Sequence, residues 1–315
     1  MRALQLASDS VPMLSFVDVA EPAPQPNEAV ISVCAASINY GDAGYLEPGA
    51  GIVKIGGYDG SGVVLRAAVD GSGPGVGTRV AFLTPNGTWA ERCAVRSSDL
   101  AELPASVSFV DAAALPAAGL TALGALDEVA RGSRSDGPDG LDGRHVTVLG
   151  ATSGVGQLAV QLAVLRGASV TAVVRDLTRT EHLAELGASE TVGADDEWAF
   201  GTDVVVDLVG GPLLERAVST LRPRAHVLAI GNASHRASTI DFEQLRRNAP
   251  GSRFVAYTRT DTSAPDLERL LGLVEDGALV VPVGWSGSWE DAATALQLVS
   301  ERRVVGKAVL EIPTA

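Results

Sequence analysis

A run of small residues separates two apolar segments in the stretch TVLGATSGVGQLAVQLAVLRGASVTAVVR, which extends from Thr147 to Arg175. The first segment has the composition of a buried strand, and the second that of a helix. The N-terminus of a helix presents unpaired N–H groups and a partial positive charge, and both attract phosphate. Small residues at this junction allow a tight turn and a close approach of a pyrophosphate. We therefore predict that the turn binds a dinucleotide through Ala151, Thr152, Ser153, Gly154, Val155 and Gly156.

The glycine pattern of this turn is incomplete. In the G-x-G-x-x-G arrangement of dinucleotide sites, Ala151 and Ser153 take the first two glycine positions, and only Gly156 is a glycine. The context strengthens the prediction, because the turn follows an apolar strand, opens a helix and leads to a second strand about 20 residues later. The alternative is a tight turn between a strand and a helix that binds nothing.

Two arginines lie at the end of that second strand. An NAD site favours an acidic residue there for the ribose hydroxyls, whereas an NADP site needs a cation for the 2′-phosphate. Arg175 takes the strand-end position and Arg179 follows one helical turn later. Because guanidinium groups bind phosphate in a bidentate manner, the pair predicts NADPH as the cofactor. Asp176 stands between them and favours NADH instead, and the other interpretation of the arginines is a solvated surface.

Strands and helices alternate regularly from residue 145 to about residue 258. The strand-like segments HVTVLG, SVTAVVR, DVVVDLVG, HVLAIG and RFVAYT are apolar and are separated by helical ones. Repeated βα units with such strands predict a parallel sheet that is covered on both faces. The region before them contains short β-segments and turns. After Thr262 we expect a helix (264–276), a strand (ALVVPV, 278–283), a second helix (289–302) and a closing strand (GKAVLEI).

We therefore predict an α/β fold in which a Rossmann-type, doubly wound parallel sheet is inserted into a mainly-β domain. The dinucleotide-binding domain extends over residues 119–261. The two ends of the chain, 1–118 and 262–315, form the catalytic domain together. A helix around Pro116, from Asp111 to Ala130, leads from the first domain into the second.

The composition excludes several classes of protein. The formal net charge is −14, from 24 Lys and Arg against 38 Asp and Glu, and such a surface repels nucleic acid. No apolar run reaches the ~18 residues that a membrane span needs, and the N-terminal residues lack the pattern of a signal peptide. The two cysteines form no close pair, and the four histidines show no metal-ligand spacing. We expect a cytoplasmic protein that binds neither nucleic acid nor membrane.

Motifs along nearly the whole chain resemble the medium-chain dehydrogenase/reductase superfamily, and specifically its zinc-independent quinone oxidoreductase and enoyl reductase branch. They are VCAASINYGD (33–42), GGYDGSGVV (56–64), VGTRVAF, GTWAERCAV, AALPAAGLTAL, GATSGVGQLAVQLA, DVVVDLVGG, IGNAS and RVVGKAVLEI. The resemblance implies that the mainly-β domain is GroES-like. Relatives usually have a Gly-Gly turn where this chain has Arg224 and Ala225, and this departure affects a connection far from the cofactor.

The resemblance also implies that no zinc is bound. Zinc-dependent relatives have a cysteine ligand in the place of Asn39, and Gly-His-Glu in the place of Gly57, Tyr58 and Asp59. A catalytic zinc needs three protein ligands of the Cys, His or carboxylate type, and neither an amide nor a phenol is a good one. The four-cysteine structural lobe of those relatives is absent too.

Without a metal, the implied reaction is NADPH-dependent transfer of hydride to an electron-poor carbon of a quinone, an enone or an enoyl thioester. Asn39 would donate its amide N–H to a substrate or cofactor oxygen, and Tyr40 would protonate the enolate. The segment INYGD is similar to the Asn-Tyr-x-Asp segment of polyketide-synthase enoyl reductases, and Asp42 would hold the loop. The alternatives are that Asn39 caps the loop and that Tyr40 only lines the pocket.

The remaining implied contacts to the cofactor lie on later elements. They are Thr121, Val209, Gly231, Asn232 and Ala233, the last four in loops at the ends of strands, where open α/β sheets bind ligands. The resemblance further implies a homodimer in which FVAYT strands pair across a two-fold axis, and a small-molecule substrate. A second hypothesis is a non-redox biosynthetic enzyme, such as a cyclase, or a cofactor-holding scaffold on the same fold.

Overall fold

A computed structural model describes residues 1–7, 13–43, 53–85, 87–132, 140–199, 201–259 and 264–314. The chain divides into two compact units. The first combines Met1–Leu120 with Asp261–Ala315, and the second is Thr121–Thr260. The domain boundaries predicted from the sequence fall after residues 118 and 261. None of the helices in the described ranges is long and apolar enough to cross a membrane.

The strands are β1 (Arg2–Ala7), β2 (Leu14–Asp18), β3 (Glu28–Ile38), β4 (Val53–Ile55), β5 (Asp59–Arg66), β6 (Arg79–Leu83), β7 (Arg92–Arg96), β8 (Leu100–Glu102), β9 (His145–Leu149), β10 (Ser169–Val174), β11 (Glu190–Gly193), β12 (Thr202–Asp207), β13 (Leu221–Ala229), β14 (Arg253–Ala256), β15 (Val283–Ser288) and β16 (Lys307–Glu311). The helices are α1 (Tyr40–Ala43), α2 (Phe109–Ala114), α3 (Pro116–Gly132), α4 (Gly154–Leu165), α5 (Glu181–Glu185), α6 (Gly211–Ser219), α7 (Phe242–Asn248), α8 (Ala264–Glu275) and α9 (Ala292–Ser300).

The second unit contains the predicted Rossmann-type sheet. Its six strands are parallel, in the order β11-β10-β9-β12-β13-β14. The order reverses at β9, which is where open α/β sheets bind ligands. The central residues of β12, Val204 to Val206, are completely buried, as expected for a strand covered on both faces. The predicted α/β fold is confirmed.

The first unit is mainly β. A three-stranded sheet has the order β2-β1-β4, and a larger sheet has the order β15-β16-β3-β5-β6-β8, with β7 also paired to β3. Their apolar faces enclose a core that includes Ile31, Phe82, Trp89 and Trp289. Strand β16 pairs antiparallel with β3, so the C-terminal end of the chain lies beside the strand that leads to Asn39.

Two predicted elements are corrected by the structure. The expected strand at 278–283 is wrong, since β15 begins only at Val283 and continues to Ser288. Pro282 has no N–H to donate to a ladder, and β15 is an edge strand, so it needs no continuous apolar run. The expected single helix at 111–130 is two helices, because Pro116 is tolerated only in the first turn of a helix and begins α3.

Candidate functional site

The small-residue turn connects β9 to α4. Gly150 adopts a φ of 82°, which is the left-handed region that glycine tolerates. Ser153 caps α4: its hydroxyl accepts from the N–H of Gly156 at 3.1 Å and donates to the carbonyl of Gly150 at 2.8 Å. The side chain of Ser153 therefore holds both ends of the turn together, which explains why a serine can replace a glycine there.

Gly156 allows the helix to pack against the turn. A Cβ atom at this position would lie 2.4 Å from the carbonyl oxygen of Gly150 and 2.8 Å from the Cα of Ala151. The buried side chain of Gln157 donates to the carbonyl of Thr152 at 3.0 Å, which fixes the middle of the turn. The N–H of Gly156 is taken by the Ser153 cap, and the other N–H groups in the first turn of a helix have no carbonyl partners within it, so they can face a bound pyrophosphate.

Arg175 follows β10 directly, and Arg179 ends a short 3-10 helix at Leu177–Arg179. Both arginine side chains are exposed. Asp176, which favours NADH in the sequence, caps that helix: its Oδ1 accepts from the N–H of Thr178 at 2.9 Å and from its hydroxyl at 2.6 Å. These hydrogen bonds, and then the charges of Arg179 and Arg175, hold the pKa of Asp176 below its usual value. The carboxylate thus has a local role in the cap.

The loops after β12 and β13 pack against each other. The buried carboxylate of Asp207 accepts from the N–H of Val209 at 2.9 Å, and its carbonyl accepts from the N–H of Gly231 at 3.1 Å. The N–H of Ala233 donates to the carbonyl of Leu208 at 3.2 Å. A Cβ at Gly231 would lie 2.8 Å from that same carbonyl oxygen, so the close contact needs a glycine. Burial raises the pKa of Asp207.

Thr121 and Asn232 complete the set of predicted cofactor contacts. Thr121 lies in α3, and the Oδ1 of Asn232 accepts from the hydroxyl of Ser234 at 3.1 Å. A residue that was not among the predicted cofactor contacts, Tyr257, lies close to α3. Tyr257, just after β14, places its phenol oxygen only 2.1 Å from where a Cβ of Gly124 would stand. Gly124 is one helical turn after Thr121.

Asn39 directly follows β3, and both the oxygen and the nitrogen of its side-chain amide have partners within the protein. The Nδ2 group donates to Asp59 Oδ1 at 2.8 Å and to the hydroxyl of Ser37 at 3.3 Å. The Oδ1 atom accepts a hydrogen bond from the ammonium of Lys307. The amide therefore anchors the loop before α1, which is the alternative that the sequence leaves open, and its hydrogens are directed at Asp59 and Ser37 rather than at a ligand.

Asp59 and Lys307 form a buried ion pair. Asp59 is 0% exposed and Lys307 is 5% exposed, and the ammonium lies 3.6 Å from Asp59 Oδ2. The carboxylate also accepts from the hydroxyl of Ser37 at 2.5 Å and from the N–H of Ala117 at 3.3 Å. The pair is thus surrounded by hydrogen bonds, as a buried pair must be. The sequence does contain a signal for it, because Lys307 is one of only two lysines, the other being Lys54.

The donor set at this position does not fit a catalytic zinc. The positions that correspond to zinc ligands by resemblance are Asn39, Tyr58 and Asp59. Lys307 donates to the oxygen of Asn39 and lies beside the carboxylate of Asp59, and a zinc ion would have to displace that ammonium. Within the described ranges, no group of three or more His, Cys, Asp or Glu residues could hold a metal.

Asp42 holds the loop at the start of α1. Its Oδ2 accepts from the N–H of Asn39 at 2.8 Å, and its own N–H donates to the carbonyl of Asn39 at 2.9 Å. The side chain is completely buried, and this burial raises the pKa of Asp42 to about 6. The nearby carboxylate of Asp59 contributes to the increase, while the charges of Lys307 and Lys54 oppose it.

Tyr40, the first residue of α1, is 42% exposed. Its phenol oxygen accepts a hydrogen bond from Arg302 at 3.2 Å, and the guanidinium carbon lies 5.6 Å from the centre of the ring. A phenol oxygen that accepts a hydrogen bond also carries a hydrogen of its own. Of the two predicted catalytic residues, Tyr40 is therefore the one with a proton that can be transferred. Arg302 is a partner that the sequence analysis missed.

Residues 173–310 match a family model described as a zinc-binding dehydrogenase. This range excludes Asn39, Tyr58 and Asp59, so the match does not bear on the zinc-ligand positions. A mycocerosic acid synthase-like polyketide synthase of Mycolicibacterium smegmatis is 28% identical over 92% of the chain, and the chain spans 14% of that relative's length.

Two solved structures resemble nearly the whole chain. A quinone oxidoreductase of Pseudomonas syringae pv. tomato is 27% identical, with a TM-score of 0.81, over 98% of this chain and 99% of its own. A protein described as an NAD-dependent alcohol dehydrogenase is 28% identical, with a TM-score of 0.84, over 99% of this chain and 100% of its own. The likeness therefore extends over both units.

Proposed function

We propose that the chain is an NADPH-dependent reductase of the medium-chain dehydrogenase/reductase superfamily, the proteins to which the comparisons relate it. Its substrate would be a small molecule with an electron-poor carbon: a quinone, an enone or an enoyl thioester. No zinc would take part. The observation that carries the proposal is the turn Gly150–Gly156, where the Ser153 cap and the close packing that Gly156 allows hold the start of α4 directly after β9, so that the N-terminus of the helix can receive a pyrophosphate.

NADPH is favoured over NADH by the groups at the end of β10. Arg175 and Arg179 are exposed cations, and the one acidic residue between them is engaged in capping the short helix. A 2′-phosphate placed there would receive charge-assisted hydrogen bonds. A similar solved structure is described as an NAD-dependent alcohol dehydrogenase, so the choice of cofactor has to be measured on this chain.

The chain's own groups would act on the substrate after hydride transfer. When bound, NADPH supplies a hydride to the β-carbon of an enone, and the π-electron pair moves to the carbonyl oxygen as an enolate. Tyr40 would then give its proton to the α-carbon, where the pair forms the second C–H bond, and Tyr40 regains a proton from solvent. When a quinone receives one hydride and one proton, both added hydrogens end on oxygen atoms, so no carbon has to be protonated by a positioned acid. The sum is consumption of one NADPH and one proton per double bond reduced.

The anchoring contacts would keep Tyr40 in place during this reaction. Asn39 is tied to Asp59 and Lys307, and Asp42 is tied to the backbone of Asn39. Both ties restrain the residue immediately before Tyr40. Holding a proton donor in one geometry is a recognised source of rate enhancement, because little entropy is then lost on reaching the transition state.

The proposal is tested by mixing the purified protein with NADPH and a panel of quinones, enones and enoyl thioesters while the absorbance of the reduced cofactor is followed. We expect consumption of NADPH with at least one acceptor class, and product with two added hydrogens by mass spectrometry. If NADPH binds and no acceptor is consumed, the second hypothesis, a non-redox biosynthetic enzyme such as a cyclase or a cofactor-holding scaffold, is favoured instead.

We also propose that the protein is a homodimer. Among the residues that the structure describes, strand β14 (Arg253–Ala256) pairs with β13 alone and forms one edge of the parallel sheet in the second unit, with Phe254 and Val255 partly buried. Such an edge presents unpaired backbone groups to a second copy. Replacing Val255 by proline should then reduce the molar mass in light scattering from two chains to one, and an unchanged mass would contradict the dimer.

A further inference from the structure

Helix α9 (Ala292–Ser300) ends in a way that normally requires glycine. The N–H of Arg303 donates to the carbonyl of Leu298 at 2.9 Å, and the N–H of Arg302 donates to that of Val299 at 3.0 Å. These two bonds form a Schellman motif, in which the residue at the position of Arg302 is left-handed. Arg302 accordingly has a φ of 57°. An arginine there carries steric strain that a glycine would avoid.

The side chain of Arg302 makes a contact that glycine could not make. Its guanidinium donates to the phenol oxygen of Tyr40 at 3.2 Å and lies over the ring of the same residue. The two residues are 262 positions apart in the chain, so helix packing in the first unit brings them together. A strained backbone that aims a charged group at a predicted catalytic side chain is typical of functional sites.

We propose that Arg302 is a positioning residue for Tyr40. Its guanidinium holds the phenol oxygen in place, and it offers a charge-assisted hydrogen bond to the phenolate that remains after the proton is transferred. The inference rests on the proposed function, since it names the group that orients the proton donor in that reaction. It also extends the site to a residue outside the segment that contains Asn39 and Tyr40.

Stability and activity should change in opposite directions when Arg302 is replaced. We expect Arg302→Gly to raise the Tm by about 2 °C, because the left-handed strain is removed. The same variant should lower kcat for enone reduction about tenfold with KM unchanged within about twofold, since a positioned acid contributes at least that much. Arg302→Lys keeps a donor and should restore kcat to within about threefold of the wild type.

Arg224 provides a matched control. It is another arginine with a left-handed backbone, with a φ of 66°, and it lies in β13, where the relatives usually have glycine. Arg224→Gly should raise the Tm by a similar amount and leave kcat unchanged. A second readout needs no turnover: the gain in Tm from Arg302→Gly should be larger in a Tyr40→Phe background, where no hydrogen bond to the phenol is lost.

The outcomes separate this inference from the proposed function. If the wild type consumes no acceptor, the proposed function fails, and the Tm measurements alone decide whether Arg302 and Tyr40 interact. If the wild type is active and Arg302→Gly retains its full kcat, the positioning role is overturned. A fall in Tm with Arg302→Gly would equally overturn it, because the side chain would then serve to hold the fold.

Discussion

Lys307 donates a hydrogen bond to the side-chain oxygen of Asn39 across 268 positions of the chain. Five residues earlier, Arg302 donates to the phenol of Tyr40. One short C-terminal segment therefore contacts both members of the pair that the sequence singles out for catalysis. Asn39 therefore anchors the loop, whereas the side chain of Tyr40 remains partly exposed.

Replacing Lys307 should destabilise the protein strongly. Lys307→Met leaves the carboxylate of Asp59 completely buried without its cation, and breaking a buried pair from one side costs roughly 3–5 kcal/mol. Urea denaturation measures the free energy of unfolding. The matched control is Arg303→Met, whose exposed ion pair with Glu301 should be worth less than about 1 kcal/mol. The double variant Lys307→Met/Asp59→Asn should recover much of the loss, and equal effects of Lys307→Met and Arg303→Met would contradict this account.

The pH dependence of stability should report the buried carboxyl of Asp42. Its pKa is raised to about 6 in the folded protein from an ordinary 3.8, so the group favours folding below pH ~4 and this contribution is lost as the pH rises through about 6. Asp42→Asn removes this pH-dependent contribution to the free energy of unfolding, which amounts to up to about 3 kcal/mol. Urea unfolding between pH 4 and 7 should show the wild type gaining less stability than Asp42→Asn as the pH rises. Parallel curves would show that Asp42 does not titrate in this range.

A methyl group at Gly156 should block the turn. The Cβ would lie within 2.4 Å of backbone that cannot move without opening the β9–α4 junction, so Gly156→Ala should weaken NADPH binding at least tenfold and lower the Tm. Gly272→Ala, in α8, is the control: apart from its neighbours in the same helix, no atom of the described residues lies within 4 Å of its Cβ position, and alanine favours helix by up to about 1 kcal/mol. Retention of full NADPH affinity by Gly156→Ala would argue that the nucleotide binds elsewhere.

Removing the phenol hydroxyl should distinguish the substrate classes. Tyr40→Phe should reduce kcat for enones by about tenfold or more, because the α-carbon of the enolate must then be protonated by solvent instead of by a positioned acid. Quinone reduction should fall much less, because both added hydrogens end on oxygen atoms and the oxyanion takes its proton readily from water. Steady-state kinetics with one enone and one quinone give the ratio. If both rates fall equally, Tyr40 lines the pocket without acting as an acid.

Local patterns in the sequence predicted the parallel sheet and the turn before α4. These features depend on residues that lie close together in the sequence, so they can be recognised without knowing the fold. Examples are the apolar strand segment Val204–Val206 and the serine cap followed by Gly156. The strand at 283–288 could not be predicted in this way, because an edge strand of glycine, serine and tryptophan lacks an apolar run. The contacts of Asn39 and Tyr40 were equally hidden, since their partners come from the far end of the chain.

The most direct test of the account compares NADPH and NADH binding by wild type and Arg175→Ala, with affinities from fluorescence titration or calorimetry. Arg247→Ala, which removes another exposed arginine from a surface ion pair, is the control and should change neither affinity. We predict that Arg175→Ala weakens NADPH binding about 10- to 100-fold, while NADH binding changes by less than about twofold, because only NADPH carries the 2′-phosphate. Equal losses for both nucleotides, or no binding of either by the wild type, would contradict the central claim.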